Sequence, residues 1–189
     1  RQGPIRRVFV YFGGADTDNM TGKTIDAFFA LGRRDICMDV VINRGHPHKE
    51  SIRSQIEVCE QIQIHEDLPS LATLMAQADL AVGARGASSW ERCCLGLPAL
   101  VITIAENQKL VAEELERRGL IRWIGHKDSD RKLEITMALK ELLDTEVLGG
   151  WSERCRAQVD GLGLKRVLSI LLLNTKTQLN GRLVGLDDE

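Results

Sequence analysis

The stretch that most constrains the fold of this chain covers residues 79–98 and reads DLAVGARGASSWERCCLGLP. Residues 80–82 form a short apolar run typical of a buried strand, and Gly83 and Gly86 follow it. A helix is predicted over residues 89–95. This order directs free backbone N–H groups and the positive end of the helix dipole towards one point. The stretch therefore predicts a place for an anion.

Several side chains of this stretch have predicted roles. Gly83 and Gly86 let the backbone approach a ligand closely. Ser88 or Ser89 caps the helix and can also donate to a phosphate oxygen. Glu91, in the first helical turn, has two interpretations. It either interacts with the helix dipole without any ligand, or it accepts hydrogen bonds from two ribose hydroxyls.

Short apolar runs alternate with helical patterns along the chain. This alternation predicts an α/β fold with a Rossmann-like, doubly wound parallel sheet, which binds ligands beyond the carboxyl ends of its strands. The predicted strands are residues 8–12, 38–42, 62–64, 80–82, 99–104 and 121–124. The predicted helices are residues 21–33, 51–60, 68–78, 89–95, 108–118, 131–143 and 151–173, the last one broken near 161–163.

Two further turns lie on the same predicted edge of the sheet. Gly13 and Gly14 follow the first strand, where they form either a tight turn or part of a phosphate site. Residues 105–108 follow the fifth strand, where Asn107 is either a helix cap or part of a group that meets a sugar or its phosphate. Arg85 either pairs with a phosphate or lies in solvent.

Other familiar sites are not indicated. The full dinucleotide fingerprint and the ATP-type phosphate loop are absent, and no metal-ligand spacing links His46, His48, His65 and His126. Surface or loop positions are therefore expected for these histidines. The five cysteines form no C-x-x-C pair and are interpreted as small packing residues in a reducing, cytoplasmic environment.

Size and charge limit the possible partners. The 189 residues suffice for one domain with a full core, and a formal net charge of −2 gives no field that recruits nucleic acid. The sequence shows no membrane span and no signal peptide. Residues 174–189 carry little apolar pattern and are predicted to form a mobile tail.

Three stretches together resemble a known family. Residues 12–19, 78–98 and 105–108 are similar to the UDP-sugar hydrolase of pseudaminic acid biosynthesis, which removes UDP from UDP-2,4-diacetamido-2,4,6-trideoxy-β-L-altropyranose. Its relatives include the N-acetylglucosaminyltransferase of peptidoglycan synthesis. The resemblance covers most of residues 8–173. It implies a GT-B arrangement of two Rossmann-like domains, of which this chain resembles the C-terminal, nucleotide-binding one.

The resemblance also implies roles for single residues. Backbone near Leu68 would contact the uracil, and Glu91 would bind the ribose hydroxyls. Asn107 and Gln108 would lie near the sugar. The residues implied to surround the diphosphate are Gly13, Gly14, Gly86, Ala87, Ser88 and Ser89.

One departure from the family follows from its domain order. The family's catalytic histidine belongs to the N-terminal domain, so no residue here corresponds to it, and residues 1–7 are expected to be a linker into a domain of residues 8–173. The expected partners are UDP or a UDP-sugar and that N-terminal domain, with no metal or cofactor. A GT-B glycosyltransferase and a stand-alone nucleotide-sugar binding module stay as alternatives.

Overall fold

A computed structural model describes residues 1, 3–57, 59–127, 131–143 and 148–172. By its internal contacts the chain divides into two units, Arg1–Val159 and Asp160–Glu189. The first unit holds the sheet. Its strands are β1 Arg7–Tyr11, β2 Cys37–Ile42, β3 Ile62–Glu66, β4 Leu80–Ala84, β5 Ala99–Thr103 and β6 Arg122–His126.

All pairings in this sheet are parallel, and its strand order is β3-β2-β1-β4-β5-β6. The chain builds outwards from β1 in one direction and then returns to β4 on the other side of β1. In register, Val8 lies opposite Leu80 and Tyr11 opposite Gly83. This order confirms the predicted Rossmann-like, doubly wound sheet, with its topological switch point between β1 and β4.

Helices connect the strands. They are α1 Met20–Ala30, α2 Lys49–Ile56, α3 Ala72–Gln77, α4 Ser88–Cys94, α5 Lys109–Arg117, α6 Lys132–Leu143 and α7 Leu148–Gln158, with a short 3-10 helix Glu106–Gln108 before α5. Helix α1 packs against α2 and α6, and α4 packs against α7. Strands β4 and β5 are buried at every position, because elements cover both faces of the sheet there.

The end of α4 follows from its glycine. Gly96 has a φ of 62°, its N–H donates to Cys93 O, and the N–H of Leu97 donates to Arg92 O. These two bonds form a Schellman motif, which needs a left-handed residue after the last turn. The helix stop predicted at Gly96 is confirmed.

Some predicted boundaries were wrong. The helix predicted from Leu68 begins only at Ala72, because Pro69 disfavours a helical conformation at the residue before it. Strand β3 continues to Glu66, since His65 and Glu66 pair with Val41 and Ile42 of β2.

The long predicted helix is interrupted, and two of the cysteines are buried. Helix α7 ends at Gln158 and helical structure resumes over residues 163–172, so the predicted break near 161–163 is confirmed. The predicted tail at 174–189 lies outside the described residues. Cys93 and Cys155 are buried as the packing interpretation predicts, whereas Cys37 is exposed, because it begins β2 at the edge of the core.

Candidate functional site

Two adjoining cavities lie at the carboxyl ends of β1 to β5. The first, the Leu68 cavity, has a volume of about 430 Å³ and lies beyond the ends of β1, β2 and β3. The second, the Gly86 cavity, has a volume of about 330 Å³ and lies beyond β1, β4 and β5. Together they flank the topological switch point, where doubly wound sheets open a crevice for ligands.

The lining of each cavity comes from loops after the strands. The Leu68 cavity is lined by Tyr11, Val41, Ile42, Asn43, Asp67, Leu68, Pro69, Ser70, Leu71, Ala72 and Glu91. The Gly86 cavity is lined by Tyr11, Phe12, Gly13, Leu71, Ala84, Arg85, Gly86, Ala87, Ser88, Glu91, Ile104 and Gln108. Because Tyr11, Leu71 and Glu91 line both, we treat the two cavities as one edge cleft.

The edge cleft brings together most of the residues predicted from the sequence. Seven of them line it, namely Gly13, Leu68, Gly86, Ala87, Ser88, Glu91 and Gln108. Gly14, Ser89 and Asn107 line neither cavity. Gly14 and Ser89 instead hold the surrounding loops in shape, as their hydrogen bonds show.

The loop after β1 is fixed by the loop after β2. Gly13 has a φ of 90°, a backbone conformation that glycine adopts without strain. The Asn43 amide donates to the carbonyl of Gly14 at 2.6 Å. Deeper in the fold, the carboxylate of Asp16 accepts from the N–H groups of Met20 and Thr21 at 2.8 and 2.9 Å. The Gly13 turn is thus a rigid wall of the Gly86 cavity.

The start of α4 differs from its prediction. Ala87 is the N-cap, and no side chain caps this helix, so the predicted capping by Ser88 or Ser89 was wrong. Ser89 is buried, and its Oγ accepts from Arg92 Nη2 at 2.8 Å and weakly from the N–H of Gly86 at 3.4 Å. The arginine holds this hydroxyl on the inner side of the turn. Ser88 is the serine that lines the cavity.

Gly83 and Gly86 differ in the space that a side chain at each position would meet. A Cβ on Gly83 would lie 2.3 Å from the carbonyl oxygen of Tyr11, because β1 and β4 approach closely at that point. Gly83 therefore serves strand packing, and the prediction that it lets a ligand approach was wrong. A Cβ on Gly86 would meet no atom within 4 Å and would face open space.

The loop after β5 separates two neighbouring residues. Asn107 lies inside the 3-10 helix and is exposed, so the predicted N-cap at this position was wrong; the residue preceding α5 is Gln108. The Oε1 atom of Gln108 accepts from the N–H of Ile104 at 2.9 Å. This bond fixes the side-chain amide of Gln108 at the wall of the Gly86 cavity.

The histidines are less exposed than expected. His46 is buried, with Nε2 at 3.4 Å from Asp16 Oδ2, and its Nδ1 accepts from the N–H of His48 at 3.2 Å. His126 is buried against the Thr103 hydroxyl at 2.9 Å. His46 lies in a loop, which is one of the two predicted positions, but that loop folds inwards and buries it. His126 ends β6 and is buried, so the prediction of a surface or loop position was wrong for this residue. No histidine lines the edge cleft.

Sequence reasoning missed several lining residues. Tyr11 ends β1, Asn43 follows β2, Leu71 precedes α3 and Ile104 follows β5. Their position in the sequence could have identified them, because residues at or just after the carboxyl end of a strand in a doubly wound sheet lie at the edge where ligands bind. Tyr11 was interpreted only as part of an apolar strand, which concealed its position at the junction of both cavities.

Two acidic side chains line the edge cleft, Asp67 and Glu91, and Asp67 pairs with Arg44 at 3.0 Å. Glu91 is exposed where the two cavities meet, and Arg85 lines the Gly86 cavity. Beside the Leu68 cavity, Lys49 and Arg53 hold the pKa of Glu66 below its usual range. Within the described part of the chain, no group of three or more His, Cys, Asp or Glu residues could hold a metal ion. None of its helices has the length and apolarity needed to cross a bilayer.

Comparison of sequences finds a relative over most of the chain. No family model matches the sequence. The chain is 30% identical over 173 residues to the spore coat polysaccharide biosynthesis protein SpsG of Bacillus subtilis, an alignment that covers 88% of this chain and 50% of SpsG. The chain thus spans about half the length of this relative.

Comparison of structures identifies the fold. MurG of Acinetobacter baumannii superposes with a TM-score of 0.71 at 15% identity, over 90% of this chain and 50% of MurG. A UDP-GlcNAc 2-epimerase of Neisseria meningitidis, solved with UDP-GlcNAc bound, gives a TM-score of 0.62 at 16% identity, over 91% of this chain and 45% of the epimerase. The chain is therefore related to SpsG and has the fold of one half of a GT-B protein.

Proposed function

We propose that the edge cleft binds the UDP part of a nucleotide sugar, and that this chain is the nucleotide-binding half of an enzyme of polysaccharide biosynthesis. The observation that carries this proposal is the division of the cleft into two cavities that share Tyr11, Leu71 and Glu91. A nucleoside diphosphate has the same division, with a flat base at one end, a diphosphate at the other and a ribose between them.

Each cavity suits one end of such a ligand. The Leu68 cavity offers backbone edges in the loop Asp67 to Leu71, where Asp67 is held by the N–H of Arg44 at 2.8 Å. Backbone groups can recognise the carbonyl and imide groups of uracil, and the larger purines would need more room. The Gly86 cavity offers the backbone of Gly13 and of the turn from Gly86 to Ser88, which suits phosphate oxygens.

Glu91 lies at the junction, where the ribose would be. Its exposed carboxylate can accept hydrogen bonds from two adjacent hydroxyls, an interaction with a charged acceptor. Gln108 would then lie towards the sugar, at the outer wall of the Gly86 cavity. Asn107 is exposed and next to it, so it belongs to the sugar side in this proposal.

For the whole protein we propose a UDP-sugar hydrolase acting on a diacetamido-trideoxy hexose. The support is the resemblance of residues 12–19, 78–98 and 105–108 to that family. Water would attack the anomeric carbon, while backbone donors of the Gly86 cavity stabilise the departing UDP. A second domain, N-terminal to this one, would supply the opposite wall and the catalytic histidine.

A glycosyltransferase is the second candidate, favoured by the relation to SpsG, whose name places it in spore coat polysaccharide biosynthesis. In that case a sugar hydroxyl replaces water as the acceptor. Both reactions use the same leaving-group site, so the proposal for this chain is the same in either case. A stand-alone binding module would use the cleft without any turnover.

The test is a titration of the chain with UDP, UMP and uridine, followed by amide shifts in two-dimensional NMR. We expect UDP to shift the amides of Gly86, Ala87, Ser88 and Glu91 together with that of Leu68. Uridine should shift mainly the amides around Leu68. A UDP titration to millimolar concentration without shifts at Gly86 to Glu91 would refute the site.

Base recognition needs a separate comparison. ADP and GDP are titrated under the same conditions as UDP, and weaker binding is expected for both purine nucleotides. Equal affinities would show that the Leu68 cavity does not recognise the base. The diphosphate part of the proposal would survive that result, because it depends on the other cavity.

A further inference from the structure

Arg92 is a fully buried arginine in the helix that borders the cleft. It is 1% exposed and is among the largest completely buried side chains of the protein. Its Nη2 atom donates to the carbonyl of Ala84 at 3.0 Å and to Ser89 Oγ at 2.8 Å. These two acceptors lie at the two ends of the turn that lines the Gly86 cavity. The side chain therefore holds the turn from its inner side.

The rest of the guanidinium is only partly compensated, because burial outweighs the electrostatic effect of Cys93, Glu91 and Cys155 on its pKa. Among the described residues, Nε and Nη1 of Arg92 have no hydrogen-bond partner. Burial lowers the pKa of this guanidinium to about 10, which leaves it charged at neutral pH. A buried charge without an ion-pair partner is costly, and perturbed charges of this kind cluster at functional sites.

The position of the charge relates it to the cleft. Arg92 Nη1 would lie 3.0 Å from a Cβ on Gly83, and Nη2 is bonded to Ala84, which lines the Gly86 cavity. The guanidinium is thus immediately behind the cavity wall. Glu91 is the acidic group on that side of the cavity; its carboxylate is exposed to solvent and interacts with the guanidinium, although water weakens that interaction.

We propose that Arg92 is a positioning residue for an anionic ligand: its buried guanidinium fixes the turn from Ala84 to Ser89 and supplies a permanent positive charge behind the wall that faces the phosphates. The inference rests on the proposed nucleotide site and assigns to it a residue that touches no ligand. The charge acts through the protein interior, where the effective dielectric constant is lower than that of water and electrostatic interactions are therefore stronger.

A purely structural arginine would behave differently. Its contribution would consist of packing and of the hydrogen bonds to Ala84 and Ser89. Its removal would alter the turn, and it would weaken every ligand of the cleft to a similar extent. A charge that acts on phosphates makes the loss depend on the charge of the ligand.

The experiment compares Arg92→Gln, Arg92→Met and Arg92→Lys with the unmodified chain, using calorimetric titrations with UDP, uridine and inorganic pyrophosphate. Gln keeps a donor for Ala84 and Ser89 without charge, Met keeps bulk alone, and Lys keeps charge. Arg7→Met is the control, because Arg7 pairs with Asp39 at 2.8 Å and lines neither cavity. Thermal unfolding confirms that each variant is folded.

We expect Arg92→Gln and Arg92→Met to weaken the binding of UDP and pyrophosphate about 10- to 100-fold, as is reasonable for the loss of one unit charge near a diphosphate. The binding of uridine should weaken by less than about threefold. Lys should preserve the ratio of UDP to uridine affinity within about threefold, and Arg7→Met should leave it unchanged. An equal loss for uridine and UDP in the Gln and Met variants would overturn the proposal.

Two further outcomes are decisive. If only the Lys variant folds, a fall in its UDP-to-uridine ratio by about tenfold or more would overturn the role of the charge, and a preserved ratio would support it. If the unmodified chain binds pyrophosphate but not UDP, the nucleotide proposal fails, while the pyrophosphate titrations still test Arg92. Absence of binding by all three probes would overturn both.

Discussion

His46 Nε2 lies 3.4 Å from Asp16 Oδ2, and both side chains are only 1% exposed. The Asp16 carboxylate also accepts from the first N–H groups of α1, at Met20 and Thr21. One buried carboxylate thus joins the loop after β1, the loop after β2 and the start of α1. These loops form one side of the edge cleft.

Asp16→Ala should therefore lower the stability of the whole fold. The substitution leaves two helical N–H groups without their charged acceptor and isolates His46 in the interior. We expect a loss of about 3 kcal/mol in the free energy of unfolding, in the range for hydrogen bonds to charged groups. Urea denaturation measures it. Thr17→Ala, at the exposed neighbouring position, should change stability by less than about 0.5 kcal/mol; a similar loss in both variants would contradict the role of Asp16.

Gly83→Ala should lower the stability of the fold, whereas Gly86→Ala should lower only the affinity for UDP. A Cβ at position 83 would lie 2.3 Å from Tyr11 O, so alanine there forces β1 and β4 apart and should cost about 1–3 kcal/mol. A Cβ at position 86 meets open space, so that variant should be as stable as the original chain but bind UDP less tightly. Thermal unfolding and UDP titration separate the two effects. Gly86→Ala with unchanged UDP affinity would argue against a ligand at that turn.

Glu91→Ala should weaken the binding of UDP and the binding of uridine equally. The two ligands share the ribose, so losing its charged acceptor should cost about 1.5–3 kcal/mol for each of them. This pattern differs from that expected for Arg92, where the loss depends on the phosphates. Calorimetry with both ligands is the measurement, and Glu113→Ala is the matched control, since Glu113 is exposed on α5 and lines neither cavity. If the Glu91 variant binds uridine as tightly as the original chain, the ribose does not bind at Glu91.

Glu66 should contribute to acid sensitivity. Lys49, at 2.7 Å, and Arg53 hold its pKa in the folded chain below the usual 4.5. The folded state then binds fewer protons than the unfolded state, so this contribution is full above pH 4.5 and is lost as the pH falls through the lower, folded-state value. Compared with the original chain, Glu66→Gln should lose less stability over that window in urea titrations at a series of pH values. Parallel curves would show that the ion pair does not contribute.

The chain alone should bind UDP-sugar without turnover. Its edge cleft is lined by no histidine, and general acid–base catalysis contributes about 10²–10⁴-fold in addition to the positioning that a second wall supplies. Release of UDP from the diacetamido sugar nucleotide is followed with the chain alone and with the matching N-terminal domain added. Rapid release by the chain alone, abolished by changing His46, His48, His65 or His126, would place the catalytic base in this domain.

The sequence predicted the architecture because short apolar strands and helical periodicity are local signals. Strands β4 and β5 are apolar except for Thr103, and both were predicted within two residues of their observed ends. The Schellman end of α4 was also predictable, since Gly96 is needed there in a left-handed conformation.

The errors concern properties that only tertiary contact decides. Gly83 and Gly86 look alike in sequence, yet the first faces the backbone of Tyr11 and the second faces open space. His46 lies in a polar loop and is buried only because that loop folds onto Asp16. Arg92, which follows the exposed Glu91 in α4, gave no sign in the sequence that its guanidinium would be enclosed.

The pairing of β1 with β4 has a consequence for how the protein acquires its binding capacity. Tyr11 and Gly83 are neighbours in the sheet although most of the first half of the domain separates them in sequence. Closing so long a loop costs chain entropy, and the residues that line the cleft extend from Tyr11 to Gln108, so the complete cleft needs all of that segment. During synthesis, residues up to Gln108 must leave the ribosome before the walls can meet. A bound nucleotide would then act as a clamp between two distant segments and delay their separation during unfolding.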